Sequence, residues 1–153
     1  MRLYLTTSAL LKLYVAEEGT EVVRGALAEA TVVGTSELAY LEARAALARR
    51  RRERDLTVSA QRHAVRDLDA EWNRYVVLAV HATLIRDAVR LAEARRLRAY
   101  DALHLASARL LRDQVGSPVV FGCWDRQLER AARAEGFRPL SALRRRNDHR
   151  RRP

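Results

Sequence analysis

Four short apolar runs constrain what this chain can fold into more than any other feature. They are Met1 to Leu5, Thr31 to Gly34 (TVVG), Tyr75 to Val80 (YVVLAV) and Pro118 to Phe121 (PVVF), with Phe137 to Leu140 as a final edge strand. The runs lack the polar–apolar alternation of a strand that faces water on one side, so their strands are covered on both faces. The segments between them carry helical periodicity and helix-start signals. Thr6-Thr7-Ser8 offers capping hydroxyls ahead of ALLKLYV, and Glu17 to Ala28 places Val22, Val23, Ala26 and Leu27 at core spacing. Thr35-Ser36 caps a helix reaching about Arg51, with Leu38, Leu41, Ala45 and Leu47–Ala48 as its inner stripe. Thr57 opens a helix to about Trp72 with Val58, Val65, Leu68 and Trp72 as contacts. YVVLAV is the clearest buried strand. Helices over Thr83–Arg95, Tyr100–Arg112 and Arg126–Ala134 complete the series. Strands alternating with amphipathic helices predict a three-layer α/β/α sandwich around a mostly parallel sheet.

The 153 residues suit one domain, expected over residues 1–143, followed by an arginine-rich tail over 144–153 that is expected to be disordered. Of the formal charge of +10, the tail supplies half; the preceding residues hold 23 cations against 18 anions. Lys12 is the only lysine, and arginine is the better bidentate partner for phosphate. The total charge alone is therefore weak evidence for a nucleic-acid partner. The single cysteine, Cys123, excludes an intrachain disulfide framework and a multi-cysteine zinc site, and suits a cytoplasmic protein. No run approaches a membrane span, and Lys12 within the N-terminal apolar stretch argues against a signal peptide. Neither a GxxxxGK[ST] loop, a GxGxxG fingerprint nor an HExxH pair occurs.

In parallel α/β sheets ligands bind beyond the carboxyl ends of the strands. That rule selects Thr6, Thr7 and Ser8 after the first strand, Glu42 on the helix after TVVG, Asp101 at the start of its helix, and Gly122 to Asp125 after PVVF. Glu42, Asp101 and Asp125 come from separate elements and are expected to converge. Asp101 and Asp125 also sit where a carboxylate caps a helix or complements its dipole. Glu42 lies beside the apolar stripe, where a carboxylate needs an arginine or a metal as partner. Hard oxygen ligands without His or Cys point to Mg²⁺ or Mn²⁺. His104 is expected to pack or bond locally, Cys123 to be a small buried residue, and Trp124 to pack, with base stacking as the other reading. Arg95, Arg96 and Arg98 lie close enough to Asp101 to contact phosphates, while Arg49 to Arg52 run out at the far end of their helix.

The segments LYLTTSALLKLYV, VVGTSELAYLEARAALARR, LRAYDALHLASA and VVFGCWDRQLERAARAEGF, in that order, resemble PIN-domain ribonucleases, most closely the VapC toxins of VapBC toxin–antitoxin pairs. The resemblance runs from about Leu3 to Phe137. It implies an acidic site that holds Mg²⁺ or Mn²⁺ and hydrolyses RNA, with Glu42, Asp101 and Asp125 as catalytic and metal-holding acids. The family's first acid falls at Thr6, a neutral residue here, which implies impaired activity. Ser8 matches a supporting hydroxyl. The resemblance also implies a VapB-like antitoxin docking near Leu10, Leu11, Leu13, Tyr14 and Val15, and a homodimer. A non-catalytic PIN-like protein that binds RNA or antitoxin is the alternative that Thr6 favours.

Overall fold

The computed structural model describes residues 1–143, and the expectation for residues 144–153 lies outside them. The chain runs β1 (Arg2–Leu5), α1 (Thr7–Tyr14), α2 (Thr20–Glu29), β2 (Val32–Ser36), α3 (Glu37–Arg52) and α4 (Val58–Glu71). A 3₁₀ turn (Trp72–Arg74) then leads to β3 (Val76–Leu78), α5 (Ala82–Arg95), α6 (Ala99–Val115), β4 (Val119–Gly122), α7 (Arg126–Ala134) and β5 (Arg138–Pro139). The strands form one five-stranded sheet in the order β3-β2-β1-β4-β5. Every pairing is parallel. The expected α/β/α sandwich is therefore the observed architecture.

Strand β1 is central, and its residues divide the two hydrophobic layers. Leu3 and Leu5 pack with α1 to α4, whereas Tyr4 turns to the layer formed with α5, α6 and α7. Each is fully buried, a stabilisation of about 1.5–3 kcal/mol per large apolar side chain. Tyr4 stacks on Phe121 of β4, with ring centroids 5.6 Å apart. Gly34 in β2 has a specific role, because a Cβ there would meet the Leu111 side chain at 2.5 Å. Its absence lets α6 lie close against the sheet. That seating fixes the N-terminal turn of α6 at the carboxyl end of the strands.

Several expectations need correction. Val58, expected as a contact of α4, is 43% exposed. The buried stripe of α3 is Ala39, Ala43 and Leu47, while Leu41 is 65% exposed. Small alanines carry the contact because α3 packs closely, and larger neighbours misled the periodicity reading. The YVVLAV run contributes only Val76–Leu78 to the sheet, as an edge strand with Val76 41% exposed. An edge position leaves one side of β3 unpaired, so an apolar run there is only partly covered. Two of the expected caps are seen, Ser36 accepting from the Leu38 amide and Thr57 from the Ala60 amide, but the hydroxyl expected to cap α1 does not, because Thr6 Oγ1 bonds to the Gly122 carbonyl instead. The α5 cap is an imidazole, with His81 Nδ1 accepting from the Leu84 amide at 3.2 Å. Among the described residues no helix is long and apolar enough to cross a membrane.

Candidate active site

The carboxyl ends of the strands open onto a cleft of about 750 Å³. Thr6, Ser8, Glu42, Asp101 and Asp125 all line it, so the residues singled out from the sequence do meet. Three different elements supply the acids: the second turn of α3, the first turn of α6, and the turn between β4 and α7.

Glu42 is the most closely held. Its Oε2 accepts from the Thr7 hydroxyl and from His104 Nε2, the latter at 2.7 Å. A carboxylate offers only lone pairs, so Nε2 carries the proton of that bond. In the neutral imidazole Nδ1 then accepts from the Tyr4 hydroxyl, 2.9 Å away. Burial pushes the Tyr4 hydroxyl far above its ordinary range, so it remains a donor. Burial also pushes the Glu42 carboxyl up, but His104, Thr7 and Arg98 outweigh it and hold the group below its ordinary value. Glu42 is thus an ionised carboxylate fixed by a chain that begins in the central strand.

Asp101 and Asp125 share a cation. Arg98 Nε donates to Asp101 Oδ2 at 2.8 Å, and Arg98 Nη2 stands 3.7 Å from Asp125 Oδ2. The other oxygen of Asp125, Oδ1, accepts from the Leu128 amide at 2.7 Å and caps α7. Asp125 therefore has the helix-cap role considered from its sequence position and also a free face toward the cleft. Asp101 caps nothing; Arg98 occupies the N-cap position of α6.

Thr6 is 3% exposed. Its hydroxyl donates to the Gly122 carbonyl at 3.1 Å, and its amide reaches the same oxygen at 2.9 Å. Ser8 Oγ lies 3.1 Å from Thr6 Oγ1 and accepts from the Trp124 amide at 3.0 Å. These bonds tie the end of β1 to the turn that carries Asp125. No negative charge is supplied at this position. Among the described residues no three His, Cys, Asp or Glu side chains form a group poised to hold a metal ion. Asp101 and Asp125 meet the Arg98 guanidinium instead, and Glu42 meets the His104 imidazole.

The lining of the cleft is also basic, and it includes Arg49, Arg50 and Arg52 further along α3, which were expected to run out away from the site. Lys12 is buried there, pairing with Glu17 at 2.7 Å, and Arg50 reaches the same carboxylate at 2.8 Å. Lys12 Nζ lies 4.7 Å from the centre of the Trp124 ring, so Trp124 packs at the rim as expected. Arg95 turns away to Glu135 and is not part of the cleft. Burial pushes the Cys123 thiol up to about 12, which leaves it no thiolate for nucleophilic chemistry near neutral pH.

Sequence reasoning missed His104 and Tyr4 as members of the site. The signal for His104 was its spacing of three residues from Asp101, which puts both on one face of α6. Its partners come from β1 and α3, too distant in sequence for a local reading to find.

A family model for the PIN domain matches residues 3–133. The chain belongs to the PIN-domain family. Two curated relatives, ribonucleases VapC45 and VapC49 of Mycobacterium tuberculosis strains CDC 1551 and H37Rv, are each 39% identical to this PIN domain over 140 residues. The alignments cover 91% of the chain and 94% of each relative. Among solved structures, PAE2754 from Pyrobaculum aerophilum matches with a TM-score of 0.61 and 21% identity, covering 94% of this chain and 92% of that one. A toxin–antitoxin complex from Klebsiella pneumoniae contains a chain with a TM-score of 0.55 and 15% identity, with coverages of 77% and 83%. At those identities the structures establish the fold of the PIN domain, while the curated relatives place it with VapC ribonucleases.

Proposed function

We propose that this PIN domain is an endoribonuclease toxin that hydrolyses RNA phosphodiester bonds with Mg²⁺ or Mn²⁺, is restrained by a VapB-type antitoxin, and is weakened by Thr6. The observation that carries this reading is the mixed lining of the cleft. Glu42, Asp101 and Asp125 line it together with Arg49, Arg50 and Arg52. Arginines along a groove bind phosphates without reading sequence, which suits a nucleic-acid backbone lying beside the acids.

The acids are oxygen donors of the class that suits a hard divalent ion, but among the described residues they are not gathered into a group of three that could hold one. Asp101 and Asp125 already share one positive group, the Arg98 guanidinium, which stands in for a cation at their cleft-facing oxygens. Asp101 and Asp125, with Glu42 as the third acid, would hold the ion. When bound, it supplies activation of water and stabilisation of charge at the scissile phosphate. The protein's own groups do the rest. His104 and Thr7 keep Glu42 ionised and oriented, Asp125 is anchored by its cap bond, and the arginines of the lining position the RNA.

Thr6 contributes a hydroxyl that is already spent on Gly122. A non-catalytic RNA- or antitoxin-binding role is the second reading, favoured by that bond and by the protein groups that already partner every acid. Incubation of RNA with Mn²⁺ and the unmodified chain, Thr6→Asp, and Thr6→Asp carrying Glu42→Gln separates them. Thr6→Asp is expected to raise cleavage by orders of magnitude, and Glu42→Gln to abolish the gain. Equal activity in all three forms would leave the binding role. The antitoxin would cover the cleft near Leu13, Tyr14 and Val15, which are half-buried; Leu10 and Leu11 belong to the core. The same reading takes the protein as a cytoplasmic homodimer, measurable by light scattering.

A further inference from the structure

We propose that the outer face of the α5–α6 helix pair is the surface on which a second copy of this chain docks, with the two α5 helices antiparallel about a two-fold axis beside Val89. This rests on the homodimer reading and adds where the copies meet; it needs neither RNA nor a metal ion.

Ile85, Val89 and Ala92 follow one another at i, i+4 and i+7, so they share one stripe of α5. Ile85 is 48% exposed, Val89 49% and Tyr100, at the start of α6, 62%. Three of the seven large hydrophobic side chains exposed among the described residues therefore gather on one face. Such clustering marks an interaction surface, whereas scattered apolar side chains do not. Between them lies a pit of about 220 Å³ lined also by Ala88, Ala92, Ala99 and Ala102, with no charged side chain in its lining. The alanines let the two helices pack closely but are too small to fill the depression.

The occupant follows from self-complementarity. A two-fold contact brings one patch against itself, so the patch must carry both projection and recess. This face does, because Ile85, Val89 and Tyr100 stand around the pit that the alanines leave. The charges agree. Arg86 and Glu93 lie seven residues apart on one flank of α5, about 10 Å along its axis. Reversing the helix about the midpoint between Val89 and Arg90 exchanges those two positions, so each Arg86 meets Glu93 of the second copy. A parallel pairing would carry the two flanks to opposite sides and leave both charges unanswered. Both are available: among the described residues Arg86 has only a hydrogen bond to the Thr83 hydroxyl, at 3.3 Å, and Glu93 has no ion pair. The neighbouring Asp87 and Arg90 are already paired at 3.7 Å.

Sedimentation equilibrium of the full chain tests this. The unmodified chain is expected at twice its 17.4 kDa mass. Val89→Glu sets two like charges together at the axis and is expected to give a monomer with unchanged helical circular dichroism. Val58→Glu, at an exposed valine of α4, is expected to remain dimeric. Glu93→Arg is expected to weaken the dimer about tenfold, through two lost pairs and two repulsions, and Arg86→Glu combined with Glu93→Arg to restore it. A dimer that survives Val89→Glu, or one indifferent to the charge swaps, would overturn this placement and leave the homodimer reading standing. A monomeric unmodified chain at up to about 100 μM would overturn both and leave the face to a different protein.

Discussion

Replacing Thr6 with aspartate puts a carboxylate where the structure has built for a hydroxyl. The position is 3% exposed, so the new charge is almost wholly removed from water. Thr6 Oγ1 now donates to the Gly122 carbonyl at 3.1 Å; an aspartate oxygen there has no proton to give and faces another acceptor. Gly122 itself is not orphaned, since the residue 6 amide still reaches its oxygen at 2.9 Å. The nearest remaining donor is the Ser8 hydroxyl, 3.1 Å from the present Oγ1. A lost hydrogen bond and a buried carboxylate with one donor together cost about 2–4 kcal/mol. For a domain of this size that lowers Tm by roughly 6–12 °C without metal. Metal offsets the effect. A ligand at one hundred times its Kd stabilises by about 2.7 kcal/mol, or roughly 8 °C, so Mn²⁺ should restore most of the loss. The unmodified chain, one acid short, should gain far less. Differential scanning calorimetry across a Mn²⁺ series measures both, with Thr6→Asn as the uncharged control. An equal Mn²⁺-induced rise in Tm for Thr6→Asp and the unmodified chain would refute the placement of residue 6 among the ion-binding positions.

Three further outcomes follow from the same geometry. His104→Leu removes the donor to Glu42 and leaves the buried Tyr4 hydroxyl unpartnered, so urea denaturation should show a loss of about 2–5 kcal/mol, well above that of Tyr4→Phe. For Glu17 and Glu42, burial raises the carboxyl but is outweighed, by Lys12 and Arg50 for Glu17 and mainly by His104 for Glu42, so both fall below the usual value of 4.5. A depressed folded value means stability that is present above the unfolded value and lost as pH falls through the folded one. Denaturant midpoints should therefore be level above about pH 5 and drop below pH 4.5, and Glu17→Gln should flatten part of that drop. Cys123, with its thiol pushed up to about 12 by burial, should resist alkylation at pH 8 in the native state and react freely in urea, as followed by mass spectrometry.

The layers and strand directions were legible because the apolar runs lack alternation, a pattern that only a sheet covered on both faces explains. The acids were legible too, since the carboxyl ends of parallel strands select few positions. What escaped was phase and partnership. The α3 stripe was misplaced because Ala39 and Ala43 carry it, and alanine signals close packing less loudly than the exposed Leu41 signals burial. Arg49, Arg50 and Arg52 read as the solvated end of a helix, yet the cleft extends along α3 far enough to include them. His104 looked local because its bonding partners, Tyr4 and Glu42, lie 100 and 62 residues away. Periodicity reports which face of an element is buried; it does not report which element arrives there.

The acid cluster also shows how a basic protein keeps three carboxylates together. Each has a different compensation, and the compensations differ in how firmly they hold. Glu42 is answered by a buried imidazole, itself fixed by Tyr4 of the central strand, so separating them strands polar groups away from water. Asp125 divides its oxygens, one on the α7 amide and one facing Arg98, so loosening the cation leaves the helix cap intact. Asp101 depends on Arg98 alone among the hydrogen bonds to its side chain in the described residues, and that arginine is mostly in solvent. Removing a solvated partner costs little because water replaces it. The cleft is therefore stiff at its Glu42 end and yielding at its aspartate end. The weakly held arginine and the buried imidazole thus mark the two ends of the cluster, and only the imidazole is tied back to the central strand.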